Sequence, residues 1–182
     1  MTEYVKVPKT RLGVLIGKDG SVKREIERRL SLQIDIDKEN DTAIIEQKGS
    51  EDPLAPWRGR DIVKAIARGF SPEKAFLLFD EDLVFEILDM EDFLGKSENA
   101  MLRVRARLIG KNGKTRRIIE EMTGAKVAIY GRTVSFIGTF EEVFDAKHAC
   151  EMLLHGDEHA TVYRYLEKLR KKKKKEQLSL WK

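Results

Sequence analysis

The sequence has little that would support a disulfide-linked or membrane protein. It contains a single cysteine, Cys150, so no disulfide bond can form within the chain, as is typical of a reducing compartment. No apolar run approaches the ~18 residues that a membrane-spanning helix needs. The opening residues, MTEYVKVPKT, lack the apolar core of a signal peptide. These absences predict a soluble, cytoplasmic protein with no membrane contact.

Asparagine and glutamine are also scarce, with three of each among 182 residues. Charged residues make up 36% of the chain, and this bias is typical of heat-adapted proteomes. Hydrophobic residues make up 41%, which is enough to form packed cores and excludes wholesale disorder. The composition therefore predicts a folded, heat-adapted protein.

The chain contains two copies of one unit, related by a shift of 93 positions. The segment IGKDG at residues 16–20 matches IGKNG at residues 109–113. Lys23 then corresponds to Arg116, and the apolar positions that follow also match. Glycines, charges and apolar residues that agree in one register indicate an internal duplication. We predict domains at residues 1–82 and 83–170, followed by a basic tail at residues 171–182.

Each copy has the same predicted order: strand, helix, glycine loop, helix, strand, strand, helix. In the first copy, LQIDID at residues 32–37 alternates apolar and polar side chains, and TAIIEQ at residues 42–47 follows as a second strand. Ser21 is expected to cap the helix after the loop, and residues 60–70 are expected to form the closing helix. Helices on one face of a small sheet make an α+β architecture.

The second copy is expected to close with a helix over residues 140–154. An extra helix is predicted after each copy, over residues 72–79 and 158–169. The expected buried side chains of the closing helix are Phe140, Val143, Phe144 and Leu153.

The two GxxG loops are the candidate functional sites. A loop between two helices exposes the first N–H groups of the second helix, where the helix dipole favours an anion. Glycines keep the loop thin, so that a phosphodiester backbone can lie against the main chain. A lysine at the first x position, Lys18 or Lys111, adds a cation, and the apolar residues before each loop offer a floor for unstacked bases.

The predicted RNA-binding residues are therefore these loops and their flanks. In the second copy they are Arg107, Leu108, Ile109, Gly110, Lys111, Asn112, Gly113, Lys114, Arg116, Arg117, Val127 and Ile129. In the first copy they are Ile16, Gly17, Lys18, Asp19, Gly20 and Lys23. No catalytic, cofactor-binding or metal-binding residue is predicted.

The motif, the order of elements and their duplication resemble tandem type I KH domains. The KH module clamps about four nucleotides of single-stranded RNA with its GxxG loop. The resemblance is strongest to archaeal relatives of the eukaryotic small-subunit assembly factor that partners the PIN-domain endonuclease of rRNA 3′-end maturation. It implies binding near the 3′ end of 16S rRNA or its precursor, with a PIN-domain endonuclease and small-subunit assembly factors as partners.

Local charge favours the second copy as the main RNA reader. Residues 103–117 contain seven basic and no acidic residues, whereas residues 10–24 contain four basic residues and Asp19. Phosphate contacts dominate the affinity of proteins for nucleic acids. The first copy would then be a weaker reader or a surface for protein docking.

Other functions are less well supported. Gly113-Lys114-Thr115 resembles the end of a P-loop, but the first glycine of that motif would fall at Leu108. The histidines and Cys150 lack the tight spacing of a zinc site. The acidic stretch at residues 80–98 has no accompanying base or nucleophile, so a solvated linker is favoured over a nuclease site.

The main alternative is a protein-interaction scaffold that uses KH-like folds and contacts RNA only incidentally. The C-terminal region leaves both options open. The basic run at residues 170–175 suits either a solvated helix end or phosphate attraction. Leu178, Leu180 and Trp181 are typical of a docking segment.

Overall fold

The first unit is built on a three-stranded antiparallel sheet whose last strand in sequence is central. The computed structural model describes residues 1–49 and 51–181. The strands are β1 (Thr2–Lys6), β2 (Leu32–Asp37) and β3 (Thr42–Gln47), in the order β1-β3-β2. Val5 lies opposite Ala43, and Ile34 lies opposite Ile45; all four side chains are buried. This alternation places one face of the sheet in the core.

Helices cover the apolar face of this sheet. Helix α1 spans Lys9–Ile16 and α2 spans Ser21–Leu30, with a short 3-10 turn (Lys18–Gly20) between them. The closing helix α3 (Ala55–Ala67) packs on β1 and β3. A short helix, α4 (Pro72–Ala75), and a 3-10 turn (Phe76–Phe79) follow it. The loop between α1 and α2 therefore lies on a rigid support.

The second unit repeats this plan with additions. Its strands are β4 (Val84–Asp89), β5 (Lys126–Tyr130) and β6 (Thr133–Gly138), in the order β4-β6-β5. The added short helix is α5 (Glu91–Leu94). The other helices are α6 (Glu98–Ile109), α7 (Lys114–Thr123), α8 (Phe140–Leu154) and α9 (His159–Ser179). The predicted α+β class, with two β-α-α-β-β-α units, is confirmed.

The predicted closing helix of the first unit is displaced. Helix α3 begins at Ala55, earlier than predicted, because Pro56 suits the first turn of a helix, where its missing N–H is not needed. It ends at Ala67, so Phe70 is buried in the core beyond the helix. Apolar spacing alone could not place either end.

The predicted burial of Phe140 and Phe144 in the second unit is wrong. These side chains are 70% and 61% exposed, whereas Val143 and Leu153 are buried as predicted. The buried stripe of α8 continues between those two through small residues such as Ala146, so the helix lies close to the sheet. The two phenylalanines lie on the flank of that stripe and face solvent.

The predicted extra helix over residues 158–169 is longer than expected, since α9 runs without a break from His159 to Ser179, into the basic tail. Val162 and Leu166 are buried one helical turn apart and attach the first half of α9 to the unit. No helix within residues 1–49 and 51–181 has the length and apolar character that crossing a bilayer requires.

Candidate nucleic-acid interface

The two glycine loops share one backbone conformation. In the second loop, φ is 73° at Gly110, 53° at Asn112 and 74° at Gly113. The corresponding residues of the first loop have φ values of 74°, 54° and 75°. Three residues with positive φ within four positions turn the chain sharply between its two helices. The repeated sequence therefore encodes a repeated turn.

The first glycine of each loop is required for steric reasons as well. A Cβ atom on Gly110 would lie 2.7 Å from the main-chain nitrogen of Thr115. A Cβ atom on Gly17 would lie 2.8 Å from that of Val22. Because these neighbours are backbone atoms at the start of the next helix, they cannot move aside. The loop thus lies tightly against the helix that follows it.

The second loop presents unengaged amides. The N–H of Gly113 donates to the carbonyl of Gly110 at 3.2 Å. Within the part of the chain that the structure describes, no acceptor engages the N–H groups of Lys111 and Asn112. The N-terminus of α7 also has no side-chain cap. An uncapped helix start beside exposed amides is a suitable site for a phosphate group.

Ser21 does not cap α2 as predicted. The N-cap is Gly20, in the left-handed conformation, and Ser21 is the first residue of the helix. No side chain caps this helix start either. The turn geometry moves the serine one position too far along the helix to accept a bond from its first amides.

Exposed cations surround the second loop. Lys111 and Lys114 are exposed, and the guanidinium of Arg117 donates to the carbonyl of Asn112 at 3.1 Å and to that of Gly113 at 3.4 Å. In the first loop, Lys18 is exposed next to the carboxylate of Asp19. The second loop is therefore the more attractive of the two to a polyanion.

The half-buried side chain of Arg107, one of the predicted RNA-binding residues, is held by main-chain carbonyls of its own unit. Its guanidinium donates to the carbonyl of Leu153, at the end of α8, at 3.1 Å, and also to that of Asp157, three residues beyond the helix. In the first unit, Arg11 likewise donates to the carbonyls of Ile66 and Phe70, at 2.8 and 2.6 Å. Each unit thus uses an arginine to cap the end of its closing helix.

The predicted apolar floor is partly wrong. Leu108 has no exposed surface and Val127 is 2% exposed, so a base cannot contact either of them. Ile109 and Ile129 are half-buried, as is Ile16 in the first unit, and they can present apolar surface beside the loops. Apolar spacing identified the correct stretch but could not separate core side chains from those at its edge.

A glutamate links the helix after each loop to the neighbouring edge strand, a link that we did not predict. Glu120 accepts a hydrogen bond from the N–H of Val127 at 2.9 Å, and Glu27 accepts one from the N–H of Ile34 at 2.8 Å. Their basic partners are Arg116, at 3.7 Å from Glu120, and Lys23, at 3.1 Å from Glu27. The matching positions of Glu27 and Glu120 in the repeat were the available signal. Both cations are thus partly neutralised.

Helix α9 also reaches the second loop. The hydroxyl of Tyr163 lies 3.0 Å from Oγ1 of Thr115, the residue against which Gly110 packs. Nε2 of His159 lies 2.9 Å from the carbonyl oxygen of Arg107. No local sequence signal reports these contacts, because the residues are far apart in the chain. They fix the start of α9 beside the loop.

The first unit has an open groove of about 890 Å³ between α2 and β2. Its charged lining is mixed. Basic side chains come from Lys23, Arg24, Arg28 and Lys48, and acidic ones from Glu25, Glu27 and Asp35. These carboxylates weaken the attraction of this groove for a nucleic acid.

Groups of three or more histidine, cysteine, aspartate or glutamate side chains that could hold a metal are absent from residues 1–49 and 51–181. Cys150 is buried, and this burial raises the pKa of its thiol to about 12. The thiol therefore stays protonated at neutral pH and is a poor nucleophile.

Both units match known protein families. Residues 84–171 match the eukaryotic type KH-domain (KH-domain type I), and residues 2–55 match the KH domain. The second match covers β1 to β3, and the first covers the second unit through the start of its basic run. Both GxxG loops lie within the matched regions.

Relatives extend the similarity to the whole chain. A KH domain-containing protein of Methanocaldococcus jannaschii is 48% identical over 180 residues, covering 99% of this chain and 79% of that protein. The pre-rRNA-processing protein Pno1 of Aspergillus fumigatus is 30% identical over 173 residues, covering 92% of this chain and 68% of that protein.

A solved structure is similar as well. A chain in the crystal structure of the a/eIF2alpha–aDim2p–rRNA complex from Pyrococcus horikoshii is 50% identical, with a TM-score of 0.88. The similarity covers 94% of this chain and 95% of that chain. Two KH units with intact GxxG loops, matched along nearly their whole length, place this chain in the family of tandem KH-domain RNA-binding proteins that includes the pre-rRNA processing factor Pno1 and archaeal Dim2p.

Proposed function

We propose that this protein binds single-stranded RNA of the small ribosomal subunit, in the 3′ region of 16S rRNA or its precursor, during cytoplasmic ribosome maturation. The amides of Lys111 and Asn112 and the start of α7 hold the phosphates, and Lys111, Lys114 and Arg117 add positive charge. Ile109 and Ile129 lie beside the bases. The protein acts by binding and positioning RNA, not by catalysis.

The observation that carries this proposal is the contrast between the two loops. Both have the same backbone, so both can accept a phosphate. The second loop contains no acid and is flanked by the exposed cations Lys111, Lys114 and Arg117, whereas the first loop contains Asp19 and borders a groove with three carboxylates. Because phosphate contacts dominate affinity, the second unit is the main reader and the first is a weaker one.

The rRNA target is supported by the relatives. One similar structure is a complex that contains rRNA, and one relative is named a pre-rRNA-processing protein. The protein partners that we propose, from the resemblance noted in the sequence, are a PIN-domain endonuclease and other small-subunit assembly factors. The protein would hold the end of the rRNA for such a partner.

Charge reversal in each loop tests the ranking. We expect Lys111→Asp to weaken binding of an oligonucleotide from the 3′ end of 16S rRNA by about tenfold or more, since charged hydrogen bonds contribute about 1.5–3 kcal/mol. We expect Lys18→Asp to weaken it by less than about threefold. The measurement is fluorescence anisotropy at one fixed salt concentration. Equal losses would refute the ranking, and no loss in either variant would refute the function.

A scaffold function is the second candidate, and the exposed aromatic pair on α8 favours it. Phe140 and Phe144 line a small pocket together with Glu86, Lys147 and His148. Such a patch is typical of a protein-docking surface. A pull-down treated with ribonuclease separates the two functions. Partners that survive digestion, with RNA binding insensitive to both loop variants, would support the scaffold.

A further inference from the structure

Helix α9 carries a stripe of cations on the side opposite its buried residues. Arg164, Lys168, Lys171 and Lys175 are exposed and are separated by four, three and four residues, so they share one face of the helix. The stripe extends over about 16 Å, at 1.5 Å per residue. The four cations are therefore brought into one row by the folding of α9 into a helix.

The rotation of α9 about its axis is fixed by contacts along the side that faces α7. Near its start, Tyr163 contacts Thr115 of α7 at 3.0 Å. Further along, the guanidinium of Arg170 donates to the sulfur of Met122 at 3.7 Å. Both contacts join residues 48 positions apart, so α9 runs parallel to α7. The cation stripe consequently starts near the second GxxG loop, at Arg164, and runs away from it parallel to α7 to Lys175.

Lys173 is the exception among the five consecutive lysines. Its ammonium lies 2.8 Å from the carboxylate of Asp145, which is 6% exposed, and 3.7 Å from that of Glu141. Burial alone would lower the pKa of Lys173, but the hydrogen bond and charge of Asp145 raise it overall. Lys173 therefore anchors the helix, and the other lysines are left facing solvent.

The stripe has no acidic partners of its own. Within the described residues 1–49 and 51–181, no carboxylate pairs with Lys168, Lys171 or Lys175. By contrast, Lys172, on the flank of the helix, lies 3.9 Å from Glu176. A row of unpaired cations at spacings of about 4.5–6 Å suits successive phosphates of a nucleic-acid backbone.

We propose that this stripe binds the phosphates of the RNA segment that continues from the nucleotides held at the second GxxG loop. The proposal rests on the proposed function of that loop. It also follows from continuity, because α9 begins beside the loop, where Tyr163 contacts Thr115 and Arg164 starts the stripe. The loop and the helix form one extended single-strand site, in which the helix binds backbone without reading base identity.

Two double variants of equal charge test the proposal in the full-length protein. Lys171→Gln with Lys175→Gln removes half of the stripe, and Lys172→Gln with Lys174→Gln removes two flanking lysines. The probes are oligonucleotides of about 5 and about 15 nucleotides from the 3′ end of 16S rRNA. The shorter one fills only the KH clamp, which holds about four nucleotides.

We expect the stripe variant to bind the short RNA like the wild type and the long RNA at least about fivefold more weakly. Its slope of log affinity against log salt on the long RNA should fall by about 1.4, or about 0.7 for each phosphate that the variant no longer neutralises. The flank variant should change both affinities by less than about twofold. Circular dichroism checks that α9 remains helical.

Three outcomes would overturn the proposal: equal losses in the stripe and flank variants, a loss on the short RNA as large as on the long one, or no loss at all. The last result would leave an acidic protein as the ligand of the stripe. The loop function is tested separately: it would fail if Lys111→Asp left the binding of the short RNA unchanged, whatever the stripe variant does.

Discussion

The guanidinium of Arg107 donates a hydrogen bond to the carbonyl of Leu153, 3.1 Å away, and thereby joins the helix before the second loop to the end of the closing helix. Arg11 makes the equivalent bond to Ile66 in the first unit, at 2.8 Å. The two arginines occupy different positions in the repeat, yet each donates to a carbonyl at the end of its closing helix. The same carbonyl also accepts the N–H of the glycine three residues later, Gly156 or Gly69. Both units therefore join the helix before the loop to the closing helix through an arginine, although the arginine occupies a different repeat position in each unit.

This bond predicts that Arg107 acts in stability and not in RNA binding. We expect Arg107→Ala to lower the free energy of unfolding of the second unit by about 1–3 kcal/mol, because carbonyls at the end of α8 lose a charged donor. RNA affinity of the folded variant should change by less than about twofold. Urea denaturation and anisotropy titration measure the two effects.

Arg117→Ala is the matched control, since Arg117 lies on the exposed side of the same loop. It should weaken RNA binding severalfold with little change in unfolding. If the two variants exchanged these effects, the assignment of Arg107 to the support of the closing helix would be wrong.

Glycine geometry gives a second prediction, on stability alone. Gly110→Ala should destabilise the second unit by about 1–3 kcal/mol. Alanine disfavours the φ of 73° at this position, and its Cβ would meet the main-chain nitrogen of Thr115. Gly13→Ala in helix α1 should instead stabilise the first unit by about 0.5–1 kcal/mol, since no atom lies within 4 Å and alanine favours helix. Thermal unfolding distinguishes them. Effects of the same sign would contradict the loop geometry.

The flank of α8 provides a third prediction. Phe144→Ser should change the free energy of unfolding by less than about 1 kcal/mol, as expected for an exposed side chain. Leu153→Ala, in the core of the same helix, should cost about 2–5 kcal/mol. Denaturant titrations of both variants provide the measurement. A large loss for Phe144→Ser would show that this ring is packed against another surface.

Cys150 gives a fourth prediction through its reactivity. Burial raises the pKa of this thiol to about 12, so a thiol reagent at about pH 8 should not label the folded protein within minutes. Labelling should become complete when the second unit unfolds in denaturant. Rapid labelling of the native protein would mean that α8 opens readily or packs differently.

The local features of the site could be predicted from sequence, and its tertiary features could not. Glycine spacing and apolar alternation depend on neighbouring residues, so the turns and the strands Leu32–Asp37 and Thr42–Gln47 follow from the chain itself. The cap predicted at Ser21 does not form, because Gly20 is the N-cap. Counting basic residues near the loop could not show that the guanidinium of Arg107 donates to a carbonyl at the end of α8. Periodicity located the apolar face of α8 but overestimated its width at Phe144.

Two contacts show which tertiary features a repeat can predict and which only the structure gives. Glu120 and its bond to Val127 could have been inferred, because Glu27 occupies the same place in the repeat. The bond between Thr115 and Tyr163 joins residues without any repeat equivalent or local pattern. Only the packing of α9 on α7 shows that the basic helix starts at the second GxxG loop.

The most direct test of the second loop replaces both of its central residues, Lys111→Asp together with Asn112→Asp, and measures RNA affinity across a salt series alongside the melting temperature. Because both side chains are exposed, the melting temperature should change by no more than a few degrees. Affinity should fall more than about tenfold, and the slope of log affinity against log salt should decrease by about 0.7 for each phosphate that the loop no longer holds. Unchanged affinity and an unchanged slope in a folded variant would contradict the assignment of the loop as the phosphate-binding site.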